Sequence, residues 1–200
     1  ITAWYAAKEY QYQITPHNGI QSKNIPPINI DDYPAIKRHL NKYFDKLQKR
    51  YDKGVTPYNL RNCDYIEEFA KPKIIYPNMT SVFPFAYDEN GFVGNDKTFI
   101  ITAQDESISL KYLTAIFNSK LCKLWIWYNC PELLGGTREI RKVYFENFAI
   151  PACGNIEEFV SLTDEEITLH KELQKQRNRF LHRITENIPN IKINSVIENF

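Results

Sequence analysis

Lys111-Tyr112-Leu113-Thr114-Ala115-Ile116-Phe117-Asn118-Ser119-Lys120-Leu121 opens the most informative run of the chain. It continues as an apolar helix to Tyr128, then as Cys130-Pro131-Glu132-Leu133-Leu134-Gly135-Gly136-Thr137-Arg138-Glu139-Ile140-Arg141-Lys142. It closes on Tyr144-Phe145-Glu146-Asn147-Phe148-Ala149-Ile150-Pro151. Leu110, Leu113, Ile116, Phe117, Leu121, Leu124, Trp125 and Tyr128 predict one helix buried around most of its circumference. The glycine pair frees the backbone, Arg138, Arg141 and Lys142 crowd behind it, and Val143 to Ile150 is expected as a closing strand. A flexible cationic loop on a rigid support suits the gripping of a polyanion.

Outward toward the N-terminus the chain predicts sheet. Lys73 to Tyr76 is a β-branched run, and Val82 to Tyr87 and Lys97 to Thr102 alternate as strands. Asp88-Glu89-Asn90-Gly91 between the last two carries an Asn-Gly hairpin signal. Further back, Asp31 or Asp32 is expected to cap a helix with Pro34 in its first turn. Ile36, Leu40, Tyr43, Leu47 and Tyr51 follow at helical spacing, within an arc of roughly 80°, until Gly54. Arg38, Lys42, Lys46, Lys49 and Lys53 form a second stripe roughly 140° away. Residues 1–30 are irregular, aromatic and punctuated by proline. Beyond Pro151, Thr163 and Glu166 make a capping box for a helix that Ile167, Leu173, Phe180 and Ile184 carry to about Asn187. The expected class is α+β: a small mixed or antiparallel sheet packed by helices in residues 1–153, and a C-terminal helical segment in 154–200.

The order of these pieces resembles one family, the TaqI-like C-terminal specificity domain of adenine-specific DNA methyltransferases and type IIG restriction–modification enzymes. Besides the Lys111–Pro151 stretch, the resemblance rests on Thr56-Pro57-Tyr58-Asn59-Leu60-Arg61-Asn62-Cys63 and Phe69-Ala70-Lys71-Pro72-Lys73-Ile74-Ile75-Tyr76-Pro77. Asp32-Tyr33-Pro34-Ala35-Ile36 and His17-Asn18-Gly19 are similar to the family's lead-in. The resemblance spans residues 15 to 151 and implies a target-recognition domain. The expected partners are double-stranded DNA and a catalytic domain of the same polypeptide. That domain, absent from these residues, would methylate adenine with S-adenosylmethionine, with or without a fused endonuclease. The chain opens on Ile1 rather than methionine, which is expected of a piece of a larger polypeptide.

Composition bounds the alternatives. The net charge is +1, so any grip on nucleic acid has to come from local asymmetry. No apolar run approaches membrane-spanning length, and a cytoplasmic setting is expected. Cys63, Cys122, Cys130 and Cys153 lack close paired spacing, which favours reduced structural thiols over a zinc site. Catalytic motifs are missing from the sequence. Asn24-Ile25-Pro26-Pro27-Ile28 is not the Asn/Asp-Pro-Pro-aromatic motif that holds a target amino group, and Gly-x-Gly and Asp/Glu-x-Lys do not occur. No catalytic, cofactor or metal-binding residue is therefore assigned within the chain. A protein-interaction module without DNA affinity is the alternative reading. An enzyme using dispersed groups such as His17, Asp88 and His182 is a third, which spacing does not encourage.

The candidate DNA-contacting residues are Lys42, Lys46, Lys49, Tyr58, Arg61, Lys71, Lys73, Asn78, Thr80, Thr137, Arg138, Arg141 and Lys142. Lysine and arginine would set register on phosphate. Arg138 or Arg141 would bond guanine and Asn78 adenine in the major groove. Each has a plain alternative. The lysine stripe also suits a solvated face, Lys71 and Lys73 suit edge-strand protection, and Gly135-Gly136-Thr137-Arg138 suits a tight turn with Thr137 capping the next element.

Overall fold

The computed structural model describes residues 14–152 and 154–188, and they form two compact units, residues 14–68 and residues 69–188. The expectations for residues 1–13 lie outside the described residues. The class is α+β, as the sequence implies: helices, a three-stranded and a two-stranded antiparallel sheet, and one long C-terminal helix.

In the first unit the predicted 34–53 helix is two short ones, α1 (Pro34–Asn41) and α2 (Phe44–Lys49). Pro34 opens α1 as expected, but neither aspartate caps it. Asp31 and Asp32 lie in a preceding 3-10 turn, where the Asn29 side chain accepts from the Asp31 N–H. Tyr51 is exposed beyond α2, so the apolar stripe stops short of it. The unit is held by Asn59, which is buried and donates from Nδ2 to the carbonyls of His17 (3.2 Å) and Ile28 (2.9 Å). Leu60 N–H reaches Pro16 O, and Asn18 Oδ1 accepts from Val55 N–H at 2.7 Å. The two resembling segments, 17–19 and 56–63, are therefore structural partners. Gly19 has φ +79°, and a Cβ there would lie 2.4 Å from Ile25 O, so both conformation and space require glycine.

The second unit is built on β1 (Lys73–Pro77). It pairs on one side with β3 (Ala86–Asp88) and on the other with β4 (Thr98–Thr102), both antiparallel. Ile74, Ile75 and Tyr76 are buried in succession because β1 is the central strand. The Asn90-Gly91 signal does not make a hairpin, since β3 and β4 flank β1 instead of pairing with each other. The Asp88 carboxylate folds the connection back by accepting from Asn90 N–H (2.9 Å) and Phe92 N–H (3.0 Å). The strand predicted from Val82 begins only at Ala86.

The predicted 110–128 helix also divides, into α3 (Leu110–Asn118) and α4 (Lys120–Asn129). Ser119 turns extended and caps α4 by accepting from Cys122 N–H. The side chain of Asn118, the last residue of α3, clamps Phe85, accepting from its N–H at 3.2 Å and donating to its carbonyl at 2.7 Å. Along α4 only Cys122 and Ile126 are buried; Leu121, Leu124 and Tyr128, expected on the buried surface, are exposed, as is Trp127.

The closing strand expected over 143–150 is instead α5 (Lys142–Phe145) and a turn. A strand would have set Glu146 on the face of Tyr144 and Phe148. A helical turn instead brings Phe145 and Phe148 together, stacked with ring centroids 6.0 Å apart. Phe145 also meets Phe85 at 5.3 Å and Phe117 at 5.0 Å, which makes it the hub of the aromatic core. The last helix, α6 (Ile156–Asn187), begins before the expected capping box. Thr163 lies inside it, buried, donating to Phe159 O and to Lys111 O on α3. Lys111 and Asp164, 2.6 Å apart, and Tyr112 edge-on to Phe159 complete that helix pairing.

Candidate nucleic-acid interface

Two candidate segments that lie about 60 residues apart in the chain meet in a small antiparallel ribbon, β2 (Met79–Thr80) with β5 (Arg138–Glu139). Met79 faces Glu139 and Thr80 faces Arg138. Ile140 N–H donates to Asn78 O at 2.8 Å, and Asn78 N–H to Lys97 O at 2.9 Å, so the ribbon is tied to the start of β4. Gly135 and Gly136 enter it through consecutive left-handed conformations, φ +73° and +75°, which side-chain-bearing residues resist. Gly136 also runs past Trp127, 3.8 Å from where a Cβ would stand. Thr137 is the half-buried C-cap of that turn.

The ribbon sorts the expected arginines. Arg138 is only 5% exposed. Its guanidinium lies 4.1 Å from the Trp127 ring centroid, Nε donates to Trp127 O at 3.1 Å, and Nη1 stands 2.9 Å from Glu132 Oε2. It braces the loop from within, so as it stands its donors do not face a ligand. Arg141, in contrast, has a side chain 61% exposed, with Nη2 2.7 Å from Glu139 Oε1, and Lys142 beside it is exposed. Asn78 is half-buried, and its Oδ1 is enclosed without a hydrogen-bond donor. The Thr80 hydroxyl oxygen accepts from Val82 N–H at 3.1 Å.

Lys73 requires a correction. It is fully buried; its ammonium pairs with Asp88 across the β1–β3 register and donates to Phe69 O at 2.6 Å. A cation so enclosed does not reach a phosphate or protect an edge, because β1 is the centre of its sheet. Lys71 is exposed just ahead of β1.

In the first unit, Lys42 caps the C-terminal end of α1, while Lys46 and Lys49 lie on α2; all three are exposed. The break at Lys42–Tyr43 bends the expected stripe. Tyr58 donates from its hydroxyl to Asn41 Oδ1 at 2.6 Å and leans on the Phe44 ring at 5.6 Å, which joins the 56–63 loop to both helices. Arg61 is exposed on that loop.

Sequence reasoning missed Glu132 and Trp127 as partners of Arg138, and Asn59 as the hub of its unit. The spacing from Glu132 to Arg138 across a glycine pair was the one available sign of the first. Burial pushes the Cys122 thiol up to about 12 and raises that of Cys130, where the Arg138 charge pulls part of the way back. Both are structural thiols. Among the described residues no group of three or more His, Cys, Asp or Glu is placed to hold a metal ion, and no helix is long and apolar enough to cross a membrane.

An α+β module with a short two-stranded ribbon beside its three-stranded sheet fits the class of specificity domains. A family model described as the TaqI-like C-terminal specificity domain matches residues 18–150, more than half of the 200-residue chain. The chain belongs to that family, the target-recognition domains of restriction–modification enzymes.

Proposed function

We propose that this chain is the double-stranded DNA recognition module of a type IIG restriction–modification enzyme whose catalytic domain, in the same polypeptide, methylates adenine. It works in the bacterial cytoplasm. The carrying observation is the β2–β5 ribbon, which collects Asn78, Thr80, Thr137, Arg138, Arg141 and Lys142 from two distant segments. Arg141 is the base reader, a fork of donors suited to guanine O6 and N7. Lys142 and, on the first unit, Lys42, Lys46, Lys49 and Arg61 contact phosphate. Asn78 is the second reader. An enclosed acceptor without a donor is costly, and turning out toward the amino group of an adenine relieves it. Arg138 holds the loop that presents Arg141.

S-adenosylmethionine belongs to the catalytic domain. Gly135 and Gly136 sit in a 3-10 turn leading into a strand, not in the strand-to-helix loop that cradles such a cofactor, so the residues present do not fit it. Leu162, Leu169, Leu173 and Phe180, exposed at spacings of seven, four and seven along α6, are the face offered to the catalytic part.

Binding of duplexes with permuted sites tests the reading. Arg141→Ala should lose about 1–3 kcal/mol of preference at one base position, while Lys142→Ala weakens all sequences alike. A uniform loss for Arg141→Ala would make it a phosphate contact. Absence of duplex binding even at low salt would overturn the proposal in favour of a protein-interaction module.

A further inference from the structure

Beside the ribbon lies an open groove of about 550 Å³, between residues 81–83 and the outer face of α4. Val82, Leu124 and Trp127 give it an apolar lining, and Lys120 and Lys123 are its charged residues. Neither lysine forms an ion pair among the described residues, and no carboxylate lines the groove. Both fall in the first turn of α4, where cations oppose the helix dipole and acidic residues are absent. Stability therefore argues against these two charges where they stand.

The groove is continuous with the ribbon at both sides. Ser81 follows Thr80 directly, and the Trp127 ring packs on Arg138. Phe83 holds the 81–84 turn in a left-handed conformation, φ +48°, which L-residues resist and which its buried ring enforces. That turn leaves Val82 exposed at the groove.

We infer that this groove is a second nucleic-acid contact: it takes a sugar–phosphate strand of the duplex held at the ribbon, Lys120 and Lys123 on phosphates and Trp127 with Leu124 against the sugars. Two cations without an ion pair among the described residues, at the edge of an apolar surface, complement a phosphate backbone and its sugars. The inference rests on the DNA-recognition reading and extends it to residues outside the ribbon. These contacts add grip and carry no base preference.

The test compares the 200-residue chain with Lys120→Ala/Lys123→Ala and with Arg141→Ala, by fluorescence anisotropy on one cognate and several altered duplexes across a salt series. Lys120 is exposed and Lys123 half-buried on α4, so circular dichroism with thermal melting checks that the fold is kept. The double variant should flatten the plot of log affinity against log salt by about two units, with the ranking of duplexes preserved. A slope unchanged beside a normal Arg141→Ala effect would overturn the groove contact alone and turn the groove over to a protein partner. A wild-type chain that binds no duplex would overturn the parent reading and the groove contact together.

Discussion

At the scale of single residues, the outcome for a cation depends on what stands opposite it. Lys73 and Arg138 were candidates for reaching DNA, yet Lys73 faces Asp88 on a neighbouring strand and Arg138 faces Trp127 and Glu132. Removing one partner of a buried pair leaves a charge without compensation, a loss of about 3–5 kcal/mol. Lys73→Met should therefore lower the urea midpoint sharply, whereas adding Asp88→Asn should restore part of the loss, because a neutral amide still accepts from the N–H groups that Asp88 serves. Equal midpoints for Lys73→Met and wild type would rule out a structural role for the pair.

At the scale of elements, polar residues set the boundaries that hydrophobic periodicity runs across. Asn118-Ser119 interrupts the 110–128 pattern because their side chains offer the backbone other hydrogen bonds, to Phe85 and to Cys122 N–H. α1 and α2 are likewise one pattern and two helices, bending at Lys42–Tyr43. That bend does not remove their cations from solvent: Lys42, Lys46 and Lys49 remain exposed. Changing all three to alanine should flatten the salt dependence of DNA binding by up to about three units of slope, without altering preference among sequences. An unaltered slope would return the two helices to the reading of a solvated face.

At the scale of the whole molecule, the second unit has a buried aromatic core that disfavours ionisation within it. Burial pushes Tyr76 from 10.0, and Cys122 from 9.0, up to about 12. Both groups are neutral when protonated, so the folded chain holds its protons where the unfolded chain loses them. Their contribution is fully present below pH of about 9 and is lost as pH rises toward about 12. Urea midpoints should therefore fall between about pH 9 and pH 10.5, and Tyr76→Phe should lessen the fall. A flat profile over that range would show the core to be open to water.

The α+β class, the recognition family, β1, β4 and the end of α6 were legible in the chain, because β-branched runs and apolar spacing are properties of neighbouring residues. So was the turn at Gly135-Gly136, since two left-handed residues in a row call for glycine. The meeting of Asn78–Thr80 with Arg138–Glu139 was not, nor the helical turn at Phe145, nor the burial of Lys73 and Arg138. Each of those depends on residues far apart in the chain, where the choice between burying a charge or ring and leaving it in water is made by the partner folding brings to it.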